Sequence, residues 1–230
     1  HDRIVAARQS SPMVVGVGDG EFFLSSDAAS IIEYTEDFVY VGDGEIAVID
    51  RNAPLKIVTL DNHDAKIDIK KLQLSISQLE KGGYPHFMLK EINEQPAAIM
   101  ATVSPRVEDG LPVLRIPELT DEVLRGIGRV HLVGCGTAMH AGMVGKSAIE
   151  TLARVPAEVD IASEFRYRDP ILEKNDLVII ISQSGETSDT LAALKLAKSR
   201  GVPVLAIVNV VGSSIARAAD YVMYTYAGPE

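Results

Sequence analysis

Residues 111–230 predict an α/β fold, a doubly wound parallel sheet with the flavodoxin-like strand order 2-1-3-4-5. Three observations carry that expectation. Apolar strand patterns alternate with helical patterns between about residues 120 and 225, as in a chain of βα units. The third strand, Leu177-Val178-Ile179-Ile180-Ile181, is an unbroken apolar run, which suits a strand buried on both faces. The first and third strands each open into a polar loop containing glycine. In an open α/β sheet, ligands sit beyond the C-terminal ends of the strands, where the strand order reverses.

The elements follow in order. Residues 1–80 are β-rich, with strands expected at 13–17, 21–24, 38–41, 45–49 and 56–60. Gly42-Asp43-Gly44 reads as a hairpin loop between two of them. Residues 81–110 read as a linker. Gly82-Gly83-Tyr84-Pro85 breaks the pattern, and a helix from about residue 86 is expected to be interrupted near Pro96, which lacks the helical N–H. Ser104-Pro105 and Asp109-Gly110 suggest further loop. From there the strands fall at 130–133, 159–162, 177–181, 204–208 and 221–224. Helices are expected at 139–152, 187–199 and 214–219, with Gly201 as a stop for the second.

Bulk properties narrow the function. Hydrophobic residues make up 47% of the 230, ample for a core. A net charge of −10 argues against a general nucleic-acid surface, though a local nest of donors can still hold a phosphate. Cys135 is the one cysteine. No internal disulfide can form, and a reducing, cytoplasmic compartment is expected. No apolar run nears the roughly 20 residues that cross a membrane. The chain opens on His1 without an initiator Met, and so reads as a processed or excised piece.

The loop Ser182-Gln183-Ser184-Gly185-Glu186-Thr187 suits an anion. Gly185 permits close backbone approach, and the following helix offers free N–H groups and the positive end of its dipole. Three hydroxyls add uncharged donors. The bland alternative is that the serines only cap and turn the chain. The earlier loop, Gly134-Cys135-Gly136-Thr137-Ala138, fails as a dinucleotide fingerprint because Met139 stands where the third glycine is needed. Asp160 lies inside the second strand rather than at its end, and no Walker lysine motif is present. Cys135 could be a nucleophile, but no base is identifiable beside it; a small buried residue is the better reading. The histidines at 1, 63, 86, 131 and 140 show no metal spacing. His140 lies near the cleft, and Glu186 is expected to turn away from a bound phosphate. Asp27 on its own reads as a turn residue.

Several stretches, in order along the whole chain, resemble the isomerising glutamine–fructose-6-phosphate aminotransferases (glucosamine-6-phosphate synthases). They are Val5-Ala6-Ala7-Arg8, Ser11-Pro12, Ser26-Asp27, His86-Phe87-Met88-Leu89-Lys90-Glu91-Ile92 with Glu94-Gln95-Pro96, Cys135-Gly136-Thr137, Ala162-Ser163-Glu164-Phe165-Arg166-Tyr167-Arg168, residues 182–187 and Ala227-Gly228-Pro229-Glu230. The resemblance implies that 1–80 is the C-terminal part of a glutaminase domain of the Ntn-hydrolase fold, and that 111–230 is the first of two sugar-isomerase (SIS) domains. It implies a sugar-phosphate site at Thr137, Ala138, Ser182, Gln183, Ser184 and Thr187, with Asp27 holding the amino group of glutamine. Ala138 departs from the serine found in many members, which removes one hydroxyl and leaves a backbone N–H as the donor there. The substrates implied are glutamine and fructose 6-phosphate, the product glucosamine 6-phosphate, the assembly a homodimer, and no organic cofactor or metal is required. The nucleophilic cysteine would precede His1, and the Schiff-base lysine, base glutamate and ring-opening histidine would follow Glu230. The isolated chain is therefore expected to bind sugar phosphate weakly and to catalyse nothing. A one-domain phosphosugar isomerase and a non-catalytic sugar-phosphate sensor are the rival readings.

Overall fold

The computed structural model describes residues 2–9, 11–26, 28–51, 53–71 and 81–228. They form two compact units, His1–His86 and Phe87–Pro229. Among the described residues no helix is long and apolar enough to cross a membrane.

Among the described residues the first unit has seven strands: β1 Arg3–Ala7, β2 Val14–Val17, β3 Phe22–Ser25, β4 Asp37–Tyr40, β5 Glu45–Asp50, β6 Lys56–Thr59 and β7 Ile69–Lys71. They make two antiparallel sheets, ordered β1-β5-β6 and β3-β2-β4-β7. Val15, Val39 and Val41 pack with Ala47, Ile49 and Ile57 of the other sheet. Alternate side chains of each strand thus meet in a shared core, as strand periodicity dictates. This corrects the hairpin expected at Gly42-Asp43-Gly44. β4 pairs with β2 and β7, whereas β5 pairs with β1 and β6. The glycine turn carries the chain from one sheet to the other, and the Glu45 carboxylate accepts the Gly42 N–H at 2.6 Å to hold it.

The second unit opens with α1, Phe87–Val103, which passes through Pro96 without a break. The expected interruption is therefore absent: the proline removes one i→i−4 bond, but the helix continues on both sides. A two-stranded ribbon follows, β8 Val107–Glu108 and β9 Leu111–Pro112, so Asp109-Gly110 is its turn rather than open loop. The remaining elements are α2 Asp121–Arg125, β10 Arg129–Gly134, α3 Gly136–Ala148, β11 Ala157–Ile161, α4 Ala162–Tyr167, β12 Asp176–Ser182, α5 Ser188–Ser199, β13 Val204–Val208, α6 Ser214–Ala218 and β14 Tyr221–Tyr224. A π-helical turn, Ile149–Ala153, extends α3.

The five strands pair in parallel in the order β11-β10-β12-β13-β14, the 2-1-3-4-5 arrangement expected. Val178, Ile180, Val204, Ala206 and Val208 face one core, together with Phe165, Leu191, Leu194 and Ile215 from the helices. Leu132, Leu177, Ile179 and Leu205 face the other. Burying a side chain of this size stabilises by roughly 1.5–3 kcal/mol, so β12, at the centre, anchors the unit. At its N-terminal end Asp176 is buried and accepts the Glu173 N–H at 2.9 Å. Its Oδ2 also lies 3.2 Å from His131 Nε2. His131 is thus a core strand residue at the end of the sheet away from the polar loops.

Candidate functional site

β10 and β12 are direct neighbours, with Gly134 in register with Ile181. Their C-terminal ends therefore release the two polar loops side by side. A Cβ on Gly134 would meet the Ile181 carbonyl at 3.0 Å, so only glycine lets the first loop start this close. Cys135 Sγ lies 3.7 Å from Thr190 Oγ1 on α5, tying the start of one helix to the first turn of the other. Thr190 is buried, and the thiol has a hydroxyl rather than a base beside it.

The second loop is held from within. Ser182, buried at 5% exposure, accepts the Gly185 N–H at 3.0 Å. Ser184 Oγ accepts the Glu186 N–H at 3.2 Å. Each serine thus spends a lone pair on the loop and keeps its O–H proton to give elsewhere. Ser182 Oγ lies 3.4 Å from Thr187 Oγ1. The Gly185 and Glu186 amides, however, are engaged inside the loop. The donors left for an anion include hydroxyl protons and the first-turn N–H groups of α5.

The loop is also held from outside. Gly185 adopts φ +66°, and a Cβ there would stand 2.0 Å from Ser213 Oγ. Ile215 N–H donates to Gly185 O and Asn209 N–H to Gln183 O, both at 3.0 Å. The Glu186 carboxylate accepts the Ser214 N–H at 2.7 Å. Glu186 therefore points at the start of α6, as expected of a carboxylate beside an anion cradle.

Helix caps differ along the second unit. Thr120 caps α2 and Ser213 caps α6 through their hydroxyls. α3 and α5, which start at the ends of β10 and β12, have no side-chain cap, and neither does α4 after β11. The first-turn N–H groups of α3 and α5, apart from that of Ala138, are left at the positive ends of two dipoles.

The structure places Ser182, Gln183, Ser184 and Thr187 in one turn, with Thr187 as the N-cap residue of α5. Thr137 and Ala138 lie in the first turn of α3 rather than in a loop. This corrects the predicted start of that helix: it begins at Gly136, whose φ of +53° makes the sharp entry. It also corrects the donor assigned to Ala138, whose N–H donates to Cys135 O at 3.2 Å. His140 is exposed on α3. Asp27 lies outside the described residues. Asp160 is paired with Arg168, and burial pushes its carboxyl above the usual carboxylate range, against the pull of that guanidinium. Among the described residues no group of three or more His, Cys, Asp or Glu could hold a metal ion. Sequence reasoning missed Asn209 and Ser213. The Ser213-Ser214 pair ahead of a short apolar stretch was a readable capping signal; the contact with Gly185 was not.

Residues 123–230, which hold the parallel sheet and the hydroxyl-rich turn, match the SIS domain family. The likeness extends further. The chain is 52% identical over its full length to the isomerizing glutamine–fructose-6-phosphate aminotransferase of Bacteroides thetaiotaomicron. It is 49% identical to that of Clostridium acetobutylicum. It spans 38% of the length of each. The solved C-terminal domain of glucosamine-fructose-6-phosphate aminotransferase from Francisella tularensis is 43% identical, with a TM-score of 0.62 over 66% of this chain and 42% of that one. Along its whole length, the chain is homologous to part of the isomerizing glutamine–fructose-6-phosphate aminotransferases.

Proposed function

We propose that the chain is part of an enzyme of amino sugar biosynthesis. That enzyme transfers the amide nitrogen of glutamine to fructose 6-phosphate, giving glucosamine 6-phosphate and glutamate. In this reading 1–80 completes a glutaminase of the Ntn-hydrolase fold, 81–110 is the linker, and 111–230 is a SIS domain that grips the phosphate. Asp27 pairs with the ammonium of glutamine, the enzyme is a cytoplasmic homodimer, and no cofactor takes part.

One observation carries the sugar-phosphate reading: the neighbouring strands β10 and β12 release their polar loops side by side, each leading into a helix whose N-terminus has no side-chain cap. A phosphate supplies the missing acceptors. Thr137, Ser182, Ser184 and Thr187 donate hydroxyl protons to its oxygens, Gln183 reaches the sugar, and the α5 dipole favours its charge. Ala138 adds only a methyl group. The chain's part in the chemistry is to hold and orient; the covalent steps fall to residues supplied from elsewhere in the parent enzyme.

Calorimetric titration of the 230-residue chain with fructose 6-phosphate tests this. Saturable, weak binding is expected, lost in the Ser184→Ala, Thr187→Val double variant. Ala138→Ser is expected to tighten binding about fivefold by adding one donor. Unchanged affinity in the double variant, or amidotransferase turnover by the chain alone, would overturn the reading.

A further inference from the structure

Asn209 directly follows β13, and its side chain has no place in the site so far described. Its backbone N–H donates to Gln183 O at 3.0 Å, fastening the anion loop from the side. Its side chain turns to a different segment. Oδ1 accepts from Thr225 Oγ1 at 3.1 Å and from the Ala227 N–H at 2.7 Å. Nδ2 donates to Gly228 O at 2.6 Å. Three of the four hydrogen bonds open to an asparagine side chain are thus made to residues just after β14. These residues include the start of Ala227-Gly228-Pro229-Glu230, a stretch conspicuous in the sequence and unused by the site.

We propose that Asn209 is a positioning residue that couples occupancy of the Ser182–Thr187 turn to the arrangement of 225–228. This rests on the sugar-phosphate reading of that turn. The physical route is short. A ligand that draws the turn together moves the Gln183 carbonyl. That carbonyl is bonded to the Asn209 backbone, and the same residue's carboxamide is bonded to the segment after β14. The coupling is reciprocal, as any linkage between two equilibria must be: holding 225–228 in place holds the turn in its gripping form.

A merely structural asparagine would alter stability and leave the ligand response of the segment intact, so the response is what separates the two. Amide NMR of the whole chain, titrated with fructose 6-phosphate, reads it directly. In the wild type, the amides of 182–187 and those of Ala227 and Gly228 are expected to shift along one saturation curve. In Asn209→Ala the turn should still saturate, with affinity weakened about fivefold, while the Ala227 and Gly228 shifts disappear. Thr225→Val, which removes one of the three side-chain bonds and keeps the β-branched shape, should weaken the Ala227 shift. It serves as the readout if Asn209→Ala does not fold.

The outcomes divide cleanly. If the wild-type turn shifts and Ala227 and Gly228 do not, the coupling is wrong and the sugar-phosphate reading stands. The same holds if those shifts survive unchanged in Asn209→Ala, or in Thr225→Val when it alone folds. If the wild-type turn itself fails to respond, the reading of the site falls, and the coupling with it.

Discussion

Gly185→Ala is expected to destabilise the second unit by about 2–4 kcal/mol and to abolish measurable sugar-phosphate binding. Two costs add. A non-glycine residue at φ +66° is strained by its own Cβ. That Cβ would also stand 2.0 Å from Ser213 Oγ and 2.6 Å from Ser213 Cβ. Ser213 is buried and caps α6, so it cannot swing aside without losing the cap. The turn must move instead, and the Ser182 and Ser184 hydroxyls move with it. Denaturant unfolding and calorimetry on the same sample check both halves. A variant with wild-type stability and wild-type affinity would show that the packing of Gly185 against Ser213 is not what shapes the turn. Adding Ser213→Gly to Gly185→Ala removes the clash and should recover part of the stability.

At the opposite end of β12, Asp176→Ala should cost about 2–5 kcal/mol, because it leaves more than one buried polar group without its hydrogen-bond partner, His131 first among them. Asp176 and His131 are 3% and 1% exposed, so water cannot replace the lost contact. The Glu173 N–H also loses its acceptor. His131 has no second bond to fall back on: Nδ1 is without a hydrogen-bond partner, and Glu158 Oε2 is 3.9 Å away. Asp176→Asn keeps an acceptor oxygen and should lose less, about 1–3 kcal/mol. Thermal unfolding separates the two variants. Sugar-phosphate affinity, measured well below the unfolding transition, should stay within about twofold of wild type, since only the far ends of the strands are disturbed. A large loss of affinity in the folded Asp176→Asn protein would mean the two ends of the sheet are not independent.

The parts legible in the sequence share a physical cause. β12 and β13 are buried on both faces, so they appear as unbroken apolar runs, and their alternation with helical patterns marked a parallel sheet. β1 and β7 escaped notice because they are edge strands, mostly exposed, with no alternation of polar and apolar residues to read. α4 has only Ala162 and Phe165 buried, too few to show a helical period. At Gly42-Asp43-Gly44 the turn chemistry was right and the partner wrong, because local residues specify a bend and not which strand lies beside it. The site shows the same divide. The hydroxyls of residues 182–187 can be read from their types. The fate of the Gly185, Glu186 and Ala138 amides cannot, because every residue but proline carries the same N–H. Nor could Asn209 be found, since its bonds join segments that meet only in the folded chain.

Threonine and serine cap α2 and α6, and α3, α4 and α5 go without. In the free protein, the opening turns of these three helices should exchange amide protons faster than those of α2 and α6. Under the function proposed here, a metabolite does at α3 and α5 what a side chain does elsewhere. The domain's resistance to unfolding then grows with metabolite concentration as RT ln(1 + [L]/Kd). A cell short of hexose phosphate would hold this protein in a looser form, with the same residues that recognise the sugar setting how long the molecule lasts.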